Sequence, residues 1–232
     1  MKHGWIVVLG LLLFGAEAHG QATPVLKDQK DRVSYVIGMD IGTNLKRQSI
    51  EINPDLLLRG LKDALSGNKP LMTDQEMKET IAAFQKEFQA KQEEAARKMG
   101  EKNKKEGEAF LAENRKKEGV VTLASGLQYK VLKKGSGKRP KLSDTVTTHY
   151  RGTLIDGTEF DSSYRRGQPA TFPVSGVIAG WTEALQLMEE GAKWQLFIPP
   201  HLAYGERGAG PQIGPNATLI FEVELISVEE RK

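Results

Sequence analysis

Cysteine is absent from all 232 residues, and there are only four histidines. The first absence excludes a disulfide framework, a thiolate nucleophile, a cysteine-ligated metal and a lipid-anchored N-terminal cysteine. Beyond residue 22 the histidines are His149 and His201, on separate segments, too few for a histidine metal centre or a nucleophile triad. Charge of one sign is also lacking. Lys and Arg total 33 against 30 Asp and Glu, and the resulting +3 gives no electrostatic footprint for nucleic acid. A mean hydropathy of −0.43 excludes a polytopic membrane protein. Gly135-Ser136-Gly137-Lys138 lacks the spacing of a phosphate loop and reads as a basic turn.

The first residues form an export signal. Lys2 supplies the positive start, Ile6 to Phe14 an apolar core about half the length needed to cross a bilayer, and Ala16-Glu17-Ala18 a small-x-small cleavage site. Gly20-Gln21-Ala22 competes with it, so residues 1–22 are expected to be a signal peptide cut after 18 or 22. The mature chain is expected in the periplasm, with outer-membrane or surface association left open.

Residues 23–72 carry a helical pattern. Val33, Val36, Ile37, Ile41 and Leu45 recur at three- and four-residue spacing, and Leu56, Leu57, Leu61 and Leu65 follow Asn53-Pro54, a cap with proline at the first helical position. Gly38 and Gly42 lie on one face, where a second backbone approaches closely or the helix breaks. Two helices this short bury too little apolar surface alone, so a second copy is expected along Val33, Ile37, Ile41 and Leu45.

Residues 73–119 open with Thr73 and Glu76 spaced as a capping box and close at Gly119. The expected helix, Asp74 to Glu118, carries equal numbers of acids and bases, with acid-before-base pairs four apart such as Glu87/Lys91 and Glu94/Lys98. Met77, Ile81, Phe84 and Phe88 make an apolar stripe over its first third, so it is expected to pack at that end and to be solvated in the middle. Gly100 and Gly107 weaken it, and a disordered charged linker is the alternative.

From Val120 to Lys232 the texture changes. More than half of the glycines and most prolines fall here, and six segments alternate with period two: Gly126 to Lys134, Thr145 to Leu154, Thr158 to Asp161, Thr171 to Val174, Gln195 to Ile198 and Thr218 to Val228. Asp156-Gly157 is a hairpin turn, and only Gly180 to Met188 reads as helix. The fold class is α+β: an N-terminal all-α dimerisation region, a long connecting helix, and an antiparallel sheet curled over one short helix.

Aromatic residues concentrate in this last part, where a generic reading makes them core. Their setting is more specific. Val146 to Gly152, Asp156 to Ser163, Val177 to Trp181, Leu202 to Gly205 and Ile213 to Phe221 resemble, in order and spacing, the FKBP-type peptidyl-prolyl isomerases. The helical region and charged helix resemble the macrophage infectivity potentiator and FkpA branch.

The resemblance implies a cofactor-free, metal-free isomerase that acts on X-Pro segments of unfolded or exported proteins, is open to macrolides of the tacrolimus/rapamycin type, and has associated chaperone activity. A non-enzymatic holdase or a host-interaction factor is the alternative. It further implies a proline pocket with Trp181 as floor and Tyr150, Phe160, Val177, Ile178 and Phe221 as walls. The Ile178 N–H and Tyr204 hydroxyl would hold substrate carbonyls. Asp161 would sit at the edge, acting electrostatically or bracing Tyr150 or Arg166. Ala170, Ala209 and Gln212 depart from the usual family residues at the wall and rim.

Overall fold

The computed structural model describes residues 26–230, so the expected signal peptide over residues 1–22 lies outside the described residues. The chain divides at Thr73/Asp74 into two compact units.

The first unit is a pair of helices, α1 (Gln29–Arg47) and α2 (Pro54–Ser66). Asp28 caps α1 by accepting the Asp31 N–H at 2.9 Å. Asn53 caps α2 through the Asp55 and Leu56 N–H groups, Pro54 stands in the first turn, and Gly67 closes the helix at φ 65°. No residue of α1 is buried, and in α2 only Asp63 is, held by Arg59 and Asn68. The apolar residues of both helices line an open groove of about 760 Å³ that includes Ile41, Leu45, Leu57 and Leu61. A Cβ on Gly38 or Gly42 would meet nothing within 4 Å.

The second unit begins with α3 (Asp74–Asn114), 41 residues long, which ends four residues before the expected Glu118. Its surface carries the ion pairs of the sequence pattern, Glu87 with Lys91 at 2.8 Å and Glu94 with Lys98 at 3.3 Å. Its packing reverses expectation. Met77, Ile81 and Phe84 are exposed, whereas Gly100, Gly107 and Asn114 are buried against the sheet domain that follows. The two glycines that lower helix propensity leave room for the close approach of Pro215 and Thr218. Asn114 Nδ2 donates to Gln128 Oε1 at 3.0 Å, both side chains being buried, and Gln128 Nε2 donates to the Leu111 carbonyl at 2.9 Å.

The sheet has seven strands: β1 (Val120–Thr122), β2 (Gln128–Lys133), β3 (Thr145–Leu154), β4 (Glu159–Ser162), β5 (Ala170–Pro173), β6 (Lys193–Ile198) and β7 (Leu219–Glu229). The order is β1-β2-β6-β7-β3-β4, every pairing is antiparallel, and β5 shares the outer edge of β3 with β4. Burial alternates residue by residue over the first eight residues of β3 and of β7, the period-two signature of strands with one face on a core. The three-residue β1 carried too little alternation to be read from sequence. One short helix, α4 (Ala179–Leu185), lies in the concave face with Trp181, Ala184 and Leu185 buried, and Met188 follows it into the core. Asp156-Gly157 turns β3 into β4 with Gly157 at φ 87°. Among the described residues no helix is long and apolar enough to cross a membrane.

Candidate functional site

Between α4 and the splayed edge of the sheet opens a cavity of about 690 Å³. Its floor is Trp181, 4% exposed, and three aromatic rings stand edge-on to it: Tyr150 from β3 at 5.2 Å, Phe172 from β5 at 6.0 Å and Phe221 from β7 at 5.3 Å, all with interplanar angles above 80°. Phe160 from β4 meets Phe221 at 5.4 Å, also edge to face. Such T-shaped contacts set the positive ring edge against a negative face, which fixes ring orientation beyond simple burial. Gly152 makes this possible. A Cβ there would lie 2.7 Å from both the Phe160 and Phe221 rings, so no larger residue lets them meet.

Two residues that carry hydrogen-bond donors, Ile178 and Tyr204, line this apolar space. The Ile178 N–H has no acceptor among the described residues, because it precedes the first turn of α4, whose bonds begin with the Ile178 carbonyl receiving Trp181 and Thr182. The Tyr204 side chain, 40% exposed, lines the mouth. The Trp181 Nε1–H is buried with no protein partner.

The polar edge is a three-membered network. Tyr150 Oη donates to Asp161 Oδ2 at 2.5 Å and accepts from Arg166 Nη2 at 2.7 Å, while Arg166 Nη1 donates to Asp161 Oδ1. The guanidinium also lies over the Tyr150 ring, 5.4 Å from its centroid. Burial pushes the Asp161 carboxyl up, but the hydrogen bonds from Tyr150 and Arg166 outweigh it and hold the group below the usual aspartate value. Burial, then the bond to that carboxylate, pushes the Tyr150 phenol up. Asp161 is therefore ionised and Tyr150 neutral at neutral pH.

Tyr150, Phe160, Asp161, Val177, Ile178, Trp181, Tyr204 and Phe221, singled out in the sequence, all line this one cavity. Five segments of the chain supply them. Phe172 was missed as a wall: Ala170, where an aromatic is usual, and Phe172 share a face of β5 by the period-two rule, and Phe172 supplies the ring. Ala209, Gly210, Pro211, Gln212 and Ile213 form the rim, of which only Ala209 and Gln212 drew attention in the sequence. Among the described residues no three His, Asp or Glu side chains converge as a metal-ligand set.

An aromatic cavity with one ion-paired carboxylate at its edge, and with the Ile178 backbone and the Tyr204 side chain in its lining, fits a planar amide flanked by peptide groups. Comparison with known proteins agrees. Residues 136–226 match the family described as FKBP-type peptidyl-prolyl cis-trans isomerase, and residues 30–131 match the domain amino terminal to it. The chain belongs to the FKBP-type isomerase family. It is 50% identical over 230 residues to the outer membrane protein MIP of Legionella longbeachae, covering 99% of this chain and 98% of that one. It is 49% identical over 220 residues to the peptidyl-prolyl cis-trans isomerase Mip of Coxiella burnetii, covering 95% of each. The crystal structure of FkpA from Escherichia coli superposes with a TM-score of 0.67 at 40% identity, covering 88% of this isomerase and 99% of that chain.

Proposed function

We propose that this isomerase turns X-Pro bonds in the Trp181 cavity and uses its helical unit to work on whole polypeptides as a pair. The barrier to be lowered is about 18–20 kcal/mol, because rotation breaks amide resonance. No bond is cleaved. A proline ring seated on Trp181, walled by Tyr150, Phe160, Phe172 and Phe221, leaves water, and the planar imide loses more solvation than the twisted one, whose charge separation is smaller. The Ile178 N–H and Tyr204 hydroxyl are positioned to hold the flanking carbonyls while the imide turns. The Tyr150–Asp161–Arg166 network keeps the wall ring upright and the cavity edge anionic.

The observation that carries this reading is the buried aromatic floor with the Ile178 backbone donor in the cavity lining. It predicts turnover of a short X-Pro peptide without added cofactor, suppressed by rapamycin, which would compete for the same cavity. Absence of catalysed isomerisation in the full chain overturns it.

The uncovered apolar residues of α1 and α2 support homodimerisation through Val33, Ile37, Ile41 and Leu45, with Gly38 and Gly42 admitting the second copy. Two tethered cavities raise the local concentration seen by a chain released from either, which favours non-native protein clients and chaperone action. The leader pattern places the mature protein in the periplasm, and the name of the Legionella relative favours outer-membrane association. Light scattering of the full chain tests the dimer, and a monomer overturns it.

A further inference from the structure

The rim of the cavity has little structure of its own. Between Tyr204 and Leu219 the chain has one short 3₁₀ turn and one isolated bridge, in which Ala209 and Ile213 exchange N–H···O bonds of 2.8 and 3.2 Å. Gly205, Gly208, Gly210 and Asn216 all have positive φ. Fixing each such residue costs about 1–2 kcal/mol of backbone entropy, and the two bridge bonds, the Asn216 N–H to the Gly205 carbonyl at 2.8 Å and the Ala217 N–H to the Gly214 carbonyl at 3.4 Å offset only part of that for the whole loop. Residues Ala209 to Ile213 nonetheless line the cavity. Ile213 is seated in the core, with Ala209 and Ala217 packed against it, and contacts from outside the sheet core add to that anchorage.

Those contacts come from α3. Asn103 Nδ2, half-buried and 112 residues earlier in the chain, donates to the Pro215 carbonyl at 2.8 Å, two residues beyond Ile213. Asn216 Nδ2 returns a longer contact to the Gly100 carbonyl at 3.5 Å. The surfaces fit closely around these bonds. A Cβ on Gly214 would lie 2.6 Å from Met99 Sδ, one on Gly100 3.2 Å from Pro215 Cβ, and one on Gly107 2.3 Å from Thr218 Oγ1. Glycine at each seam position lets a side chain of the facing element pack directly on the backbone.

We propose that Asn103 is a positioning residue for the isomerase site: by fixing Pro215 it sets where Ala209 to Ile213 stand, and so how tightly the rim grips the residues flanking proline. The floor, built on α4, β3 and β7, does not depend on it. Loss of the Asn103 bond therefore acts on substrate affinity and leaves the rotation step alone. This inference rests on the proposed cavity being the isomerase site.

The test uses the full chain carrying Asn103→Ala, Asn103→Asp or Asn103→Gln. Asn103→Asp keeps the shape and loses the donor; Asn103→Gln keeps the donor on a longer arm. For a short X-Pro peptide, KM should rise about three- to tenfold in the first two, the range of coupling through a contiguous chain of contacts, with kcat within about twofold and partial recovery in the third. Amide exchange at Ala209 and Ile213 should quicken while Val223 in β7 stays protected, a pattern that general destabilisation does not produce. Should these variants misfold, Gly107→Ala, which pushes the helix off Thr218, should raise KM alike, and adding Thr218→Ala should restore it. Wild-type KM and unchanged loop exchange in the Asn103 variants, or wild-type KM in Gly107→Ala, overturn the positioning role. An inactive wild-type chain would instead overturn the site itself.

Discussion

Replacing Asp161 by Asn keeps the shape of the side chain and removes its charge, so it isolates what the carboxylate does. In the structure that carboxylate accepts from Tyr150 at 2.5 Å and from Arg166, with its side chain 41% exposed. Two charge-assisted bonds in a dry setting would be worth about 1.5–3 kcal/mol each. Exposure screens them, and an amide that accepts from Tyr150 through Oδ1 sets its Nδ2 against both Arg166 and the Ser162 N–H, which the carboxylate accepts at 2.8 Å, so the expected net loss is about 1 kcal/mol, centred on the Arg166 and Ser162 side. For a unit of this size that lowers Tm by about 2–5 °C. Arg166 would then release Tyr150, whose ring forms the wall against Trp181. An accompanying fall of about three- to tenfold in kcat/KM, up to about 1.4 kcal/mol in the transition state, is expected on an X-Pro peptide.

The pH dependence adds a second reading of the same variant. Because the folded Asp161 sits below its reference value of 3.8, its contribution is full above that value and is lost as pH falls through the folded one. The Tm difference between wild type and Asp161→Asn should therefore be flat across neutral pH and shrink only below pH 3.8. Thermal denaturation monitored by circular dichroism measures both. Identical Tm and kcat/KM in the two proteins would refute the bracing argument, and an activity loss at unchanged Tm would leave only an electrostatic effect on the substrate.

Tyr204→Phe, which removes one hydroxyl at the mouth, and Trp181→Ala, which removes the floor, should each slow peptide isomerisation by about tenfold or more, equal to about 1.4 kcal/mol; unchanged kinetics in both would remove the cavity from the mechanism. Ile37→Asp places a charge on the uncovered face of α1, where Ile37 is 54% exposed, and should yield a monomer by light scattering with peptide turnover intact but weaker suppression of aggregation. Asn114→Ala leaves Gln128 Oε1 buried without its donor and should cost about 1–3 kcal/mol in denaturant unfolding of the second unit, against no change if the end of α3 is not docked there.

Local chemistry made much of this protein legible. Asn53-Pro54 opens α2, and β3 was readable because its inward and outward positions alternate over its first eight residues. The cavity residues were legible through family resemblance, since aromatic residues alone are indistinguishable from core. What sequence could not supply is how elements distant in the chain meet. Gly100 and Gly107 read as weak points in a solvated helix because propensity is a property of the helix itself, whereas their purpose, room for Pro215 and Thr218, exists only once that distant loop is folded against them. The apolar stripe of Met77, Ile81 and Phe84 misled in the opposite sense: periodicity reports which residues share a face, and only the tertiary structure decides whether that face is covered. Phe172 takes the place left by Ala170 for the same reason, because a wall is defined by where a side chain ends in space and not by the position from which it starts.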